Sequence, residues 1–161
     1  MDVNFYNYET FNTEQFLQIY NAESYNMSCI TPKFAAFAGP TANPDGTVPF
    51  QIEPSRYISI FRSMGVSDIV RLNEKETYDS AVFEEQGFRF HDLEFTDCTC
   101  PSPEIIEMFL DTVDAAEGVV AVHCLAGLGR TGTLIALWMV GRSPCTAKLG
   151  WDVPGPSSRS G

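Results

Sequence analysis

The apolar run Val119-Val120-Ala121-Val122 leads directly into His123-Cys124-Leu125-Ala126-Gly127-Leu128-Gly129-Arg130-Thr131, and an apolar stretch from Leu134 to Val140 follows. A β-branched run of this kind reads as a buried strand from Val119 to His123. The second stretch reads as a helix carrying Leu134 to Met139, stopped by Gly141 and Pro144. Between the two, a cysteine and an arginine bracket five residues that include Gly127 and Gly129. Such a chain must bury a strand, turn its backbone through a tight glycine loop and then begin a helix. That restricts it to folds in which strands and helices alternate.

The upstream pattern agrees. Asn12 or Thr13 caps a short helix bearing Phe16, Leu17, Ile19 and Tyr20. Lys33 to Ala38 reads as a strand, and Gly39 to Val48, with Gly-Pro, Asn-Pro and Asp-Gly steps, as a loop. Pro54 begins a helix that Gly65 ends; Asp68 to Leu72 is a buried strand; a short helix spans Ser80 to Gln86; Phe88 and Phe90 continue as a strand. Ser102 and Pro103 open a helix that runs to about Glu117. The expected class is α/β, with a central, mostly parallel sheet flanked by helices. The expected division is an N-terminal linker and helix over 1–30, a catalytic domain over 31–141 and a disordered tail over 142–161, rich in Ser, Gly and Pro.

The loop has a definite chemistry. Backbone N–H groups where a loop opens a helix stabilise an anion. Gly127 and Gly129 allow those groups to turn inward, and Arg130 offers a planar fork for two phosphate oxygens. The expected phosphate-binding set is Leu125, Ala126, Gly127, Leu128, Gly129 and Arg130. A thiolate at Cys124 can attack phosphorus and form a phosphocysteine intermediate. A carboxylic acid must protonate the leaving oxygen and then activate water. Asp97, in the loop Phe95 to Pro101, is the expected acid, with Asp92 as its rival. His123 is expected to steady the loop by a hydrogen bond. Thr131 is expected to donate to the departing sulfur, its plain role being a helix cap. Cys98 and Cys100 are expected to be inert, or else one of them traps oxidised Cys124 as a disulfide. No metal or cofactor is expected: His91 and His123 are the only histidines, and Cys98-x-Cys100 lacks a second pair.

Composition narrows the partners. Asp+Glu 21 against Lys+Arg 10 gives a net charge of −11, which argues against nucleic acid or an anionic membrane. Five cysteines without framework spacing, and a start without a basic then apolar pattern, imply a reducing intracellular setting, cytoplasm or nucleus. The run Leu134 to Val140 is too short to span a bilayer. The expected partners are phosphorylated proteins, with the oligomeric state left open.

The chain resembles the dual-specificity protein phosphatases of the cell-division-cycle-fourteen family, which act at mitotic exit. The resemblance rests on Lys33 to Pro40, Val70 to Lys75, Gly87-Phe88 with His91 to Leu93, Phe95 to Asp97, Pro101-Ser102 and Val120 through Leu134, and spans about Asn12 to Val140. It implies the cysteine-dependent phosphatase fold, a nucleophile at Cys124, phosphate binding at Arg130 and the acid at Asp97. It also implies substrates phosphorylated on Ser or Thr before Pro, with a basic residue nearby. The chain departs from the family where Leu125 replaces a lysine, and where Leu17 and Tyr20 stand in place of acidic residues on the linker helix. The family continues past the motif helix with further helices and a water-positioning glutamine; here the chain changes character after Val140. The last helix is apolar all round, although a sheet covers one side only, so a truncated form is expected. Other readings stay open: a non-catalytic phosphoprotein-binding module, an inositol-lipid phosphatase and, more remotely, a sulfurtransferase.

Overall fold

The computed structural model describes residues 26–42 and 52–141. The expected helix near residues 13–20, the later part of the loop that follows Gly39 and the tail from Arg142 lie outside the described residues. Among the described residues, five strands form one sheet: β1 (Met27–Thr31), β2 (Phe34–Ala38), β3 (Val66–Arg71), β4 (Arg89–Asp92) and β5 (Val119–Cys124), in the order β1-β2-β5-β3-β4. The last four run parallel, and β1 pairs antiparallel with β2. The helices are α1 (Ile58–Met64), entered through a 3-10 turn at Pro54–Tyr57, then α2 (Ala81–Glu84), α3 (Pro103–Ala115) and α4 (Gly129–Gly141). The α/β class and the mostly parallel sheet are those read from the sequence.

Alternation along the parallel strands builds two cores. On one face Phe34, Val70, Val120 and Val122 pack under α3 and α4 against Phe109, Val113 and Leu134. On the other, Phe37, Ile69 and Ala121 meet an aromatic group from α1, α2 and their flanks, including Tyr57, Phe61 and Phe83. The Phe37 ring lies 5.1 Å from both Tyr57 and Phe61 and 4.7 Å from His123, so this core reaches the end of β5. Ser102 caps α3, its hydroxyl accepting from the Ile105 N–H at 3.4 Å. Lys33 holds the far end of that helix, donating to the carbonyls of Ala116 at 2.6 Å and Gly118 at 3.1 Å.

Two elements differ from expectation. Strand β1 was not anticipated, because its middle residues, Ser28 to Ile30, are exposed and show no buried alternation. An edge strand of this kind is held by its backbone ladder, and the Thr31 hydroxyl closes the turn by accepting from the N–H groups of Lys33 and Phe34. Helix α4 begins at Gly129, well before Leu134. Gly129, Thr131, Gly132 and Thr133 are poor helix formers, yet the burial of Arg130 and Thr131 fixes this turn, and the Gly132 N–H donates to the Leu128 carbonyl at 2.7 Å. Further along α4, Leu134 and Ile135 are buried, and Trp138 packs edge-on to Phe34 at 5.1 Å. Leu137 and Met139 face outward and stay exposed.

Phe37 ties the aromatic core to β5. Phe37→Ala is expected to lower unfolding free energy by about 3–5 kcal/mol, read from the urea midpoint. A loss under about 1 kcal/mol would show that the core closes around the missing ring.

Candidate active site

Strand β5 comes last in the chain yet lies in the centre of the sheet, between β2 and β3. The loop at its carboxyl end therefore emerges where strand order switches, the usual position of a ligand site in open α/β sheets. Two glycines bring backbone against backbone there. Gly127 has φ 71, and a side chain on it would collide with the Phe37 carbonyl. Gly39, whose N–H donates to the Leu125 carbonyl at 2.9 Å, has the Cys124 carbonyl oxygen 2.5 Å from where its Cβ would stand. The loop is thus pressed onto the ends of β2 and β5. Gly127 is buried, whereas Leu125, Ala126, Leu128 and Gly129 form its outer rim.

Cys124 is buried at the base of this loop. Burial pushes its thiol up, but the influence of the Thr131 hydroxyl and of the backbone N–H groups of Thr131, Leu128 and Gly127 outweighs it, leaving the group below an ordinary thiol. Thr131 is fully buried, and its hydroxyl has no hydrogen-bond partner in the resting geometry. That hydroxyl is therefore available to a sulfur anion at Cys124.

Arg130 is buried too, with only 3% of its side chain exposed. Its Nη1 donates to the carbonyls of Leu72 at 3.2 Å and Phe95 at 3.0 Å, which lie beyond the ends of β3 and β4. The Glu74 carboxylate lies 3.6 Å from Nη1, and the Asp97 carboxylate 3.3 Å from Nε. The second contact is short but poorly angled: Nε makes no hydrogen bond. Nη1 anchors the guanidinium, while Nε has only the ion pair to the exposed Asp97 carboxylate. Asp97 itself is 60% exposed, on the loop between β4 and α3. The next residue, Cys98, takes the left-handed conformation at φ 57 and turns that loop. Asp92, the rival acid, instead makes a bidentate pair with the buried Arg71, at 2.6 and 3.0 Å. Among the described residues no group of three or more His, Cys, Asp or Glu gathers as a metal site.

His123 is fully buried behind Cys124. Its Nδ1 lies 3.2 Å from the Cys124 carbonyl oxygen and its Nε2 2.6 Å from the Tyr78 hydroxyl. Neither Tyr78 nor Glu74 is marked by spacing in the sequence. The only hint for Tyr78 is an aromatic ring in an otherwise polar turn, which signals burial.

The family description "Polymorphic toxin system, DSP-PTPase phosphatase" matches residues 48–143. The dual specificity protein phosphatase CDC14C of Symphalangus syndactylus is 40% identical over 149 residues, covering 91% of this chain and 31% of that protein. The tyrosine-protein phosphatase cdc-14 of Caenorhabditis elegans is 41% identical over 149 residues, covering 89% of this chain and 21% of that protein. The chain spans no more than about a third of the length of these curated relatives. Among solved structures, Tk-PTP in its active form shares the fold, with a TM-score of 0.56 at 23% identity over 71% of this chain and 72% of that one.

Burial holds His123 down to about 3, so it stays neutral in the folded protein, whereas an unfolded histidine titrates near 6.5. Between those values only the unfolded chain takes the proton. This contribution is therefore complete above about pH 6.5 and is lost as pH falls. The urea-unfolding free energy should drop by about 2 kcal/mol from pH 7 to pH 5, and His123→Asn should flatten that slope. An equal slope in the variant would assign the loss to other groups.

Proposed function

The chain belongs to the DSP-PTPase phosphatases, with CDC14 dual-specificity phosphatases among its relatives, and on that premise we propose that it hydrolyses phosphate monoesters on proteins through a phosphocysteine intermediate. The observation that carries this reading is a pair of buried donors that make no hydrogen bond within the protein, Arg130 Nε, which has only the ion pair to Asp97, and Thr131 Oγ1, on consecutive residues beside a cysteine held below an ordinary thiol. Buried polar groups are nearly always satisfied, and these two suit the equatorial oxygens of a phosphoryl group and a sulfur anion.

In this mechanism the Cys124 sulfur attacks phosphorus in line with the leaving oxygen. The P–O bond breaks as Asp97 delivers its proton to that oxygen. Arg130, through its Nε edge, and the N–H groups of Leu125 to Gly129 hold the phosphoryl oxygens, in the manner of an anion at a helix start. Asp97, now a carboxylate, takes a proton from water. The water oxygen bonds to phosphorus and the S–P bond breaks. Thr131 stabilises the departing thiolate, and inorganic phosphate leaves. His123 steadies the loop from behind.

The rim favours proteins over inositol lipids. Arg130 is the only cation between His123 and Thr131, the outer positions Leu125 and Leu128 are apolar and exposed, and Glu74 and Asp97 add negative charge. A polyphosphorylated headgroup needs several cations, whereas one phosphorylated side chain needs one. The resemblance to the family extends the reading to phosphoserine or phosphothreonine before proline, and to phosphotyrosine, in an intracellular, cell-cycle setting. The catalytic unit is read as 31–141, flanked by 1–30 and 142–161.

Purified protein should turn over p-nitrophenyl phosphate in a vanadate-sensitive manner, and Cys124→Ser should abolish this. Asp97→Ala should lower kcat by about 10²–10⁴; a much smaller loss would remove Asp97 from the acid role. Phosphopeptide binding by wild type without any turnover would overturn the enzymatic reading in favour of a binding module.

A further inference from the structure

Backbone carbonyls anchor the guanidinium of Arg130. Both hydrogens of Nη1 are taken up by the carbonyls of Leu72 at 3.2 Å and Phe95 at 3.0 Å. The Glu74 carboxylate lies 3.6 Å from the same nitrogen, past hydrogen-bond reach. It therefore adds charge beside Arg130 without directing it.

The place of that charge is fixed at its root. Glu74 lies beyond the end of β3 and precedes a 3-10 turn at Lys75–Thr77. Its backbone carbonyl accepts from the buried Asn73 amide at 3.3 Å and from the Thr77 hydroxyl at 3.1 Å. The side chain itself is 55% exposed, so packing does not call for it. Asp97, the other carboxylate near Arg130, delivers a proton in the first step of the mechanism above and so enters that step neutral. Glu74 takes no part in that transfer. A phosphoryl group at the Nε edge stands across one guanidinium from Glu74, within roughly a Debye length of it, about 8–10 Å at ordinary salt.

We propose that Glu74 sets the phosphate affinity of this site: its carboxylate is the counter-charge of Arg130 before substrate binds and repels the phosphoryl group that arrives, so that phosphate is held loosely. The proposal rests on the phosphatase reading above. Loop residues Leu125 to Gly129 bring no cation to offset that repulsion, and the chain as a whole carries a net charge of −11. The field of Glu74 acts alike on bound substrate, transition state and product. It therefore raises KM and weakens product inhibition, while kcat is little changed.

The test uses full-length wild type, Glu74→Gln and Glu74→Lys, with inorganic phosphate as the probe. Alkylation of Cys124 by iodoacetamide, followed on its own peptide by mass spectrometry, gives the phosphate concentration that protects half of the protein, with no need of turnover. At an ionic strength of about 0.1 M that midpoint should fall about three- to tenfold in Glu74→Gln, and further in Glu74→Lys. The differences should shrink toward nothing at about 1 M salt, where exposed charges are screened. KM for p-nitrophenyl phosphate should fall in step, with kcat little changed. A higher midpoint in Glu74→Gln would mean that the carboxylate orients Arg130, and would overturn the proposal. So would a difference that survives high salt, or a loss of kcat on the scale of Asp97→Ala, which would mark Glu74 as an acid. Protection of Cys124 in none of the three proteins would sink the phosphatase reading and this proposal together, whereas equal protection in all three would sink this proposal alone.

Discussion

A guanidinium removed from water must find oxygen partners in fixed places, because an unpaired buried charge is among the costliest defects a fold can carry. Arg130 finds them in the carbonyls of Leu72 and Phe95, just past the ends of two neighbouring strands, with Glu74 and Asp97 nearby. One side chain on the first turn of α4 thus joins the exits of β3 and β4 to the loop that follows β5. The same anchoring leaves Nε with only the ion pair to Asp97. The constraint that shapes this end of the sheet and the feature that makes it useful to an anion are one interaction.

Behind the loop, stability and chemistry share residues. Phe37 packs on Tyr57 and Phe61 and also touches the His123 ring; its carbonyl is the surface against which Gly127 rests. Tyr78 belongs to the same aromatic core and sets its hydroxyl against His123. Rings leave few rotamers, and interiors are packed at crystal density. The core on this face therefore acts as a rigid backing for Cys124. The opposite core, under α3 and α4, sets the angle at which the helix leaves the loop through Phe34, Leu134 and Trp138.

Much of this was legible beforehand. Apolar periodicity placed β2, β3, β5 and α3 within a few residues, since strands buried on both faces and a capped amphipathic helix leave strong patterns. The place of the loop from Cys124 to Arg130, between a buried strand and a helix, was readable because glycine spacing and the flanking apolar runs carry that message locally. Strand β1 was not readable, since an exposed edge strand is specified by its partner's ladder. The early start of α4 was hidden for a related reason: Gly129 to Thr133 resist helix locally, and burial of Arg130 and Thr131 overrides them. Asp92 and Asp97 looked alike as carboxylates near strand ends; which of them meets Arg71 and which meets Arg130 depends on strand order.

The sequence by itself determined the α/β class, the position of the loop between a buried strand and a helix, and the residue types that can bind and attack a phosphoryl group. These follow from short-range patterns of two, three or four residues. Tertiary structure alone decided that β5 lies between β2 and β3, that Arg130 is anchored by the carbonyls of Leu72 and Phe95, and that Tyr78 faces His123. The partners in those contacts stand tens of residues apart, and no local periodicity records a distance that closes only when the sheet assembles.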